Sequence, residues 1–332
     1  MTVHLGERLA LIELPLPLEG LTSVNCYVVR GDDETVLVDP GWSSPATERA
    51  LLAGLEELGL TPGDLSRVLT THHHWDHYTQ ALAWQGKHDL PVHLGRGDDH
   101  SIRAWFDLEG AFPRQVGLLR AAGAPALAEE IANLPAEVHE QDMDFDLPAA
   151  WLDDGDVIDC GGVSIRALAT PGHTRGHVCF EVPESGFLLT GDHVLPRISP
   201  SIAYEREPDP LSLLSYLSSL RLVAERPELR LLPAHGAVDT EPGSAATRAR
   251  ELLQHHAERL ELITGLVADG RSTAHDVARS MPWTRRGRQL HELDLVHRMT
   301  AVLEAEAHLV LLEHQGLLQR SSVDGVDHYA AA

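Results

Sequence analysis

The chain has 332 residues, 43% of them hydrophobic, enough for one large domain with a sizeable core and a smaller one beside it. Its 26 Lys and Arg face 50 Asp and Glu, a formal net charge of −24, so it repels polyanions at long range and nucleic acid is a disfavoured partner. No apolar run is long enough to span a bilayer, the N-terminus lacks the basic start of a signal peptide, and Cys26, Cys160 and Cys179 are too scattered for a metal-binding pair. This pattern fits a reducing cytoplasm without a membrane partner.

The opening third reads as strands. "LALIEL" (9–14), "NCYVVRG" (25–31) and "TVLVDPG" (35–41) are short β-rich runs separated by Pro and Gly-Asp turns, which predicts an antiparallel start. Residues 43–60 begin with Ser and Pro and carry Leu51, Leu52, Leu55 and Leu58 at helical spacing. "RVLTTH" (67–72) is another short apolar run. From about 98 to 148 the texture changes to short helical segments broken by Gly and Pro, as in an inserted cap. Strands return at 162–172, 177–183 and 186–192, followed by a helix near Leu211–Arg221 and a strand at 229–236.

Beyond 242 the character shifts again. Residues 243–268 read as one long helix with Leu252, Leu253, Leu260, Ile263, Leu266 and Val267 facing inward. Thr273 and Asp276 resemble a capping box, and "LQRSSVDGVDHYA" (318–330) reads as a hairpin. The expected division is therefore a catalytic domain at 1–242, with the helical insertion inside it, and a connecting helix plus winged-helix-like domain at 243–332.

"VLTTHHHWDHYT" (68–79) packs four histidines and an aspartate into six consecutive positions. Taken alone it could be a tag fragment, a polar helix face or half of a metal site. Alternate residues of an extended segment point the same way, so His72 and His74 can share one ion, while Asp76 and His77, past the turn, reach a second. Three later pieces favour the metal site. "TPGHTRGH" places His173, "LLTGDHV" places Asp192 and "LLPAHG" places His235 at the ends of apolar runs, each beside Gly. His177 and His193 neighbour these positions and suit supporting or surface roles better than ligation. Trp105, Phe106, Phe112 and Phe145 are candidates for a pocket lining or for ordinary packing.

In these motifs, over roughly Leu9–Gly236, the chain resembles the metallo-β-lactamase superfamily. The resemblance implies an α/β fold, an αββα sandwich with a two-metal site on one edge. It places His72, His74 and His173 on one metal and Asp76, His77 and His235 on the other, with Asp192 bridging and Asp39 of "LVDPG" supporting the site from outside. The common β-lactamases carry Cys where Asp192 stands, so the pattern looks instead like the glyoxalase II side of the superfamily, in its branch with a C-terminal winged helix. One departure is "YTQA" (78–81) after the His-Asp-His turn, where the family has small residues.

Two close divalent ions can hold a bridging hydroxide at neutral pH and polarise the attacked oxygen, with Asp76 orienting that hydroxide. Nitrogen and carboxylate ligands suit zinc, and also iron or manganese. The leading expectation is a hydrolase of a small-molecule acyl ester, thioester ahead of lactone. The alternatives are an endoribonuclease or phosphodiesterase on the same metals, or a binding protein working through the winged-helix module. The only compact basic run is "WTRRGR" (283–288), and "HELDLVHRMTAVLEAEAHLVLLEH" (291–314) is acidic and apolar, which suits packing or a homodimer better than nucleic acid.

Overall fold

The computed structural model describes residues 2–18, 20–108, 110–134, 145–202, 204–284 and 286–332. The part of the expected insertion at 135–144 lies outside them. The chain forms two compact units. One comprises Met1–Arg103, Glu137–Pro200 and Ser218–Arg250, and the other Ala104–Ala136, Ser201–Leu217 and Glu251–Ala332.

The first unit opens with β1 (Thr2–His4), β2 (Leu9–Pro15), β3 (Ser23–Arg30) and β4 (Thr35–Val38), an antiparallel run. Then α1 (Pro45–Glu57), β5 (Arg67–Leu69), α2 (Trp75–His88) and β6 (Val92–Gly95) follow. Helices α3 (Asp98–Asp107), α4 (Gln115–Ala121) and α5 (Pro125–Ala132) precede β7 (Ala150–Leu152). Strands β4 to β7 run parallel, which requires crossovers; α1 and α2 supply two of them. The α1 start follows its chemistry: the Ser44 hydroxyl accepts from Thr47 N and Pro45 fills the first turn.

A second sheet, ordered β12-β11-β10-β9-β8, contains β8 (Val157–Asp159), β9 (Ser164–Ala169), β10 (Val178–Val182), β11 (Phe187–Gly191) and, after α6 (Ser212–Ala224), β12 (Arg230–Pro233). The pleat explains why strands of the first sheet carry consecutive apolar residues, as at 9–12 and 26–29. Leu9, Leu11, Tyr27, Val29, Val36 and Val38 face Ile165, Phe180, Val182, Leu189 and Leu232 of the second sheet. Their neighbours Ala10, Ile12, Leu14, Cys26, Val28 and Leu37 face α1 and α2 through Leu51, Leu55, Tyr78, Ala81 and Trp84. The chain is an α/β sandwich of the expected class. β1, β6, β7 and β8 are short strands that the sequence pattern alone did not mark.

The second unit is built around α9 (Leu295–His314), with α7 (Ser244–Ala268), α8 (Ala274–Arg279) and the hairpin β13 (Leu318–Val323) and β14 (Val326–Ala331). Helices α4, α5 and α8 pack on α9. Leu119, Leu127 and Ile131 share one core with Val277, Met281, Met299, Val302, Leu309 and Leu312. Residues 104–136 thus group with 251–332 because each set presents an apolar face that the other covers. Among the described residues no helix is long and apolar enough to cross a membrane.

Candidate metal centre

Five strands of the first unit end at one edge, and the residues just beyond them carry the His and Asp side chains. Asp39 follows β4, His72 and His74 follow β5, His173 follows β9, Asp192 follows β11 and His235 follows β12. Asp76 and His77 sit in the first turn of α2, where the helix N-terminus favours a carboxylate. All seven predicted ligand positions and Asp39 therefore come to one place.

The geometry divides them into three overlapping groups. Donor atoms of His72, His74 and His173 lie within 4.8 Å of one another, as do those of Asp76, His77 and His235 and those of His72, His77 and Asp192. Asp192 reaches both sides. Its Oδ2 is 3.5 Å from His173 Nε2, and its Oδ1 is 3.7 Å from His77 Nε2 and 3.3 Å from His235 Nε2.

Hydrogen bonds behind the rings decide which nitrogen is left for a cation. The Thr71 hydroxyl donates to Asp39 Oδ2 at 2.8 Å, so it can only accept from His72 Nδ1, 3.1 Å away. His77 Nδ1 donates to the same carboxylate oxygen at 3.0 Å, and His235 Nδ1 donates to the Ser23 carbonyl at 2.8 Å. In each ring the lone pair is thereby turned to Nε2. Nε2 of His72 and of His77, like Asp192 Oδ1, is buried with no hydrogen-bond partner among the described residues. Buried acceptors aimed at one another are costly unless a cation lies between them, and ring orientation by outer acceptors is how metal-binding histidines are held.

The ionisation of the side chains agrees. Burial alone would discharge His77, but Asp76, Asp39 and Asp192 outweigh it and hold the ring up at about 10. Burial likewise opposes charge on Asp76, yet His77 and His235 bring it down to about 2. His72 lies well below its ordinary value, first through burial and then through the neighbouring imidazoles. Carboxylates here demand positive charge, and a divalent ion supplies it without protonating the ligands. The His/Asp clusters could hold divalent metal ions.

Two positioning devices lie behind the cluster. The buried Asp98 carboxylate accepts from His73 N at 2.8 Å through Oδ2 and from Gly176 N at 2.9 Å through Oδ1, clamping the loop after β5 to the loop after β9. His177 accepts from Asp192 N at 3.2 Å through Nε2, while its Nδ1 donates to the Thr170 hydroxyl at 2.8 Å. Burial, followed by His193 and His173, keeps His177 neutral, as that acceptor role requires. The aspartate that precedes the first ligand turn, Asp39, adopts φ 51, a left-handed conformation uncommon for a non-Gly residue and typical of constrained sites.

The sequence profile described as the metallo-beta-lactamase superfamily matches residues 20–235. The chain belongs to the metallo-beta-lactamase superfamily. Its whole length is shared with solved structures of that kind. A metallo-beta-lactamase family protein from Thermus thermophilus superposes with a TM-score of 0.77 at 29% identity, covering 99% of this chain and 100% of that one. A beta-lactamase domain protein from Burkholderia ambifaria gives 0.75 at 30%, covering 100% and 93%. A curated relative, the lactamase-like protein nscB of Aspergillus fumigatus, is 26% identical over 274 residues, 82% of this chain; the match spans 65% of that longer relative.

Within this member of the superfamily, the bulky "YTQA" segment is absorbed by packing. Tyr78 is buried against Phe145 and its hydroxyl donates to the Asp146 carbonyl at 2.8 Å; Thr79 donates to the Trp75 carbonyl and accepts from Ser43 N. Phe112 is buried in the core of the second unit, and Phe106 is exposed. Trp105 lies under the Arg206 guanidinium, 4.3 Å from the ring centroid. Sequence reading missed Asp98, Thr71 and Thr170, and it left His177 between a supporting and a surface role. The aspartate in "GRGDD" after a short strand was the one available signal, and only its partners identify it.

Asp39→Asn tests the orienting role. An Asn has a single acceptor oxygen: with its amide nitrogen at the Oδ2 position both the Thr71 hydroxyl and His77 Nδ1 lose their acceptor, and with the amide turned round Thr71 N faces an NH2 group instead. The expected result is a zinc affinity about 10- to 100-fold weaker, read by calorimetric titration of chelator-stripped protein. Unchanged affinity would show that the carboxylate orients nothing.

Proposed function

We propose that this superfamily member is a binuclear metal-dependent hydrolase that cleaves an acyl ester of a small molecule, a thioester ahead of a lactone, in the manner of the glyoxalase II side of the superfamily. The observation that carries this reading is Asp192, whose two carboxylate oxygens address separate groups of imidazoles. In this assignment His72, His74 and His173 hold one ion and Asp76, His77 and His235 the other, with Asp192 shared. Zinc fits the nitrogen and carboxylate set, with iron and manganese as the other candidates.

When bound, such an ion pair supplies Lewis acidity at the acyl oxygen and acidifies a water enough for attack near neutral pH. The chain's own residues position that chemistry. Asp76, ionised down to about pH 2, can only accept hydrogen bonds at working pH and so orients the attacking water. Asp39 fixes the rings of His72 (through Thr71) and His77, and Asp98 holds both ligand loops in register.

The formal charge of −24 supports a small substrate over RNA. Helix α9 supports the same preference. Met299, Val302, Ala305, Leu309 and Leu312 line one face, and Ala301, Leu303 and Leu311 are buried as well, so α9 is a core helix and not an exposed reader of a groove. We take the winged-helix-like α8–α9–hairpin region as a packing or self-association module.

The test is metal content of untagged protein together with turnover on a panel of acyl thioesters, lactones and RNA, before and after chelation. Chelator-sensitive thioester or lactone cleavage is expected. Cleavage of RNA alone would replace this reading with the phosphodiesterase one.

A further inference from the structure

In the second unit, another set of buried imidazoles meets a carboxylate. His256 of α7 faces Glu304 and His308 of α9, and one donor atom of each lies within 4.8 Å of the other two. Glu304 and His308 are four residues apart on one helix and so share a face.

The hydrogen bonds define the state of the rings. His308 Nδ1 donates to the Glu304 backbone carbonyl at 2.7 Å, which leaves the lone pair on Nε2. That nitrogen faces His256 Nδ1 at 3.1 Å. Two nitrogens bound at about 2.0–2.1 Å to one tetrahedral ion lie roughly 3.3 Å apart, so the rings stand close to the spacing of a shared ion. Both rings are almost fully buried. Burial, above all, takes His308 down to about 4 and His256 well below its ordinary value, so protons do not compete for these nitrogens at neutral pH. A further buried acceptor, Glu304 Oε1, takes no hydrogen bond among the described residues. Arg259 Nε lies 3.4 Å from Glu304 Oε1, and its guanidinium lies over the Trp283 ring. The carboxylate is thereby held beside the imidazoles.

We propose that His256, Glu304 and His308 form a second metal site, separate from the catalytic cluster, that takes a zinc-class divalent ion and braces α7 to α9. Two imidazoles and one carboxylate suit Zn²⁺, Co²⁺ or Ni²⁺ over the oxygen-loving Mg²⁺ and Ca²⁺. Binding redistributes one proton: that on His256 Nδ1 passes to Nε2, so the two facing nitrogens both present lone pairs and no net proton is released from the rings. A hydrogen-bonded histidine pair would account for the 3.1 Å contact and the Arg259 ion pair for the placing of Glu304, but neither gives the buried Oε1 a hydrogen bond, which an ion shared with the two imidazoles would replace.

The experiment is crystallisation of the full chain with a slight molar excess of Zn²⁺, with anomalous difference maps collected on both sides of the zinc edge. A peak between His256, Glu304 and His308, resolved from any at the His72–His235 cluster, is expected. In solution, Glu304→Gln and His256→Gln should each retain one zinc equivalent fewer than wild type after gel filtration. They should also lose the part of the zinc-induced rise in melting temperature that wild type shows. Glu304→Gln preserves shape, so it stays informative where the buried histidine variant unfolds. No anomalous peak at these residues, or equal zinc content in wild type and Glu304→Gln, overturns the proposal, whether or not the catalytic cluster is filled.

Discussion

Asp192→Ala is expected to lower kcat/KM by about three orders of magnitude, roughly 4 kcal/mol of transition-state stabilisation, on whichever acyl ester the panel identifies. The size follows from position. The carboxylate stands 3.3 to 3.7 Å from His77, His173 and His235, so its removal takes an oxygen from beside each group of imidazoles and leaves them facing one another with less negative charge between them. Metal content should fall with activity. Asp192→Asn keeps the volume and the backbone contact to His177 but loses the charge, so it separates electrostatics from folding. A variant that keeps more than a tenth of wild-type turnover with full metal content would remove Asp192 from the centre of the mechanism.

Gly176→Ala is expected to damage the site by adding a single methyl group. Its Cβ would stand 2.1 Å from Asp98 N and 2.7 Å from the Asp98 carboxyl carbon, and a backbone nitrogen cannot rotate away as a side-chain tip can. The loops must separate, which breaks the clamp of Asp98 on His73 N and Gly176 N. Overpacking costs about 1–3 kcal/mol and a lost bond to a charged acceptor about 1.5–3 kcal/mol. A combined loss of about 2.5–6 kcal/mol is therefore expected, read as a lower denaturation midpoint at unchanged slope. Weaker zinc binding should accompany it, since His72 to His77 and His173 ride on the displaced loops. A midpoint within experimental error of wild type would show that the two loops are not locked together.

The His and Asp cluster was legible because its chemistry is local. "HHHWDH" and the His or Asp at three strand ends carry residue types that have no cheap place in a core, so their spacing survives as a signal in one dimension. The strands of the central sandwich were legible for a related reason. Burial on both faces of the first sheet leaves continuous apolar runs such as 9–12 and 26–29. Short strands such as Val92–Gly95 and Val157–Asp159 were not, since His93 interrupts the first and the second has only two apolar residues before Asp159.

The tertiary structure decided what pairs with what. Asp98 looks in sequence like one acid among many, and only the approach of the Gly176 loop gives it two backbone donors to hold. His256 and His308, fifty-two residues apart, read as polar positions on two amphipathic helices until the packing of α7 against α9 closes them to 3.1 Å. The insertion helices show a periodic apolar face, yet the period names no partner; that α4 and α5 cover α9 follows from the shared core of the second unit. Sequence by itself determined residue chemistry and local periodicity, which are properties of neighbours along the chain. Long-range partners, ring tautomers and the grouping of segments depended on which surfaces exclude water together, and that is a property of the folded chain alone.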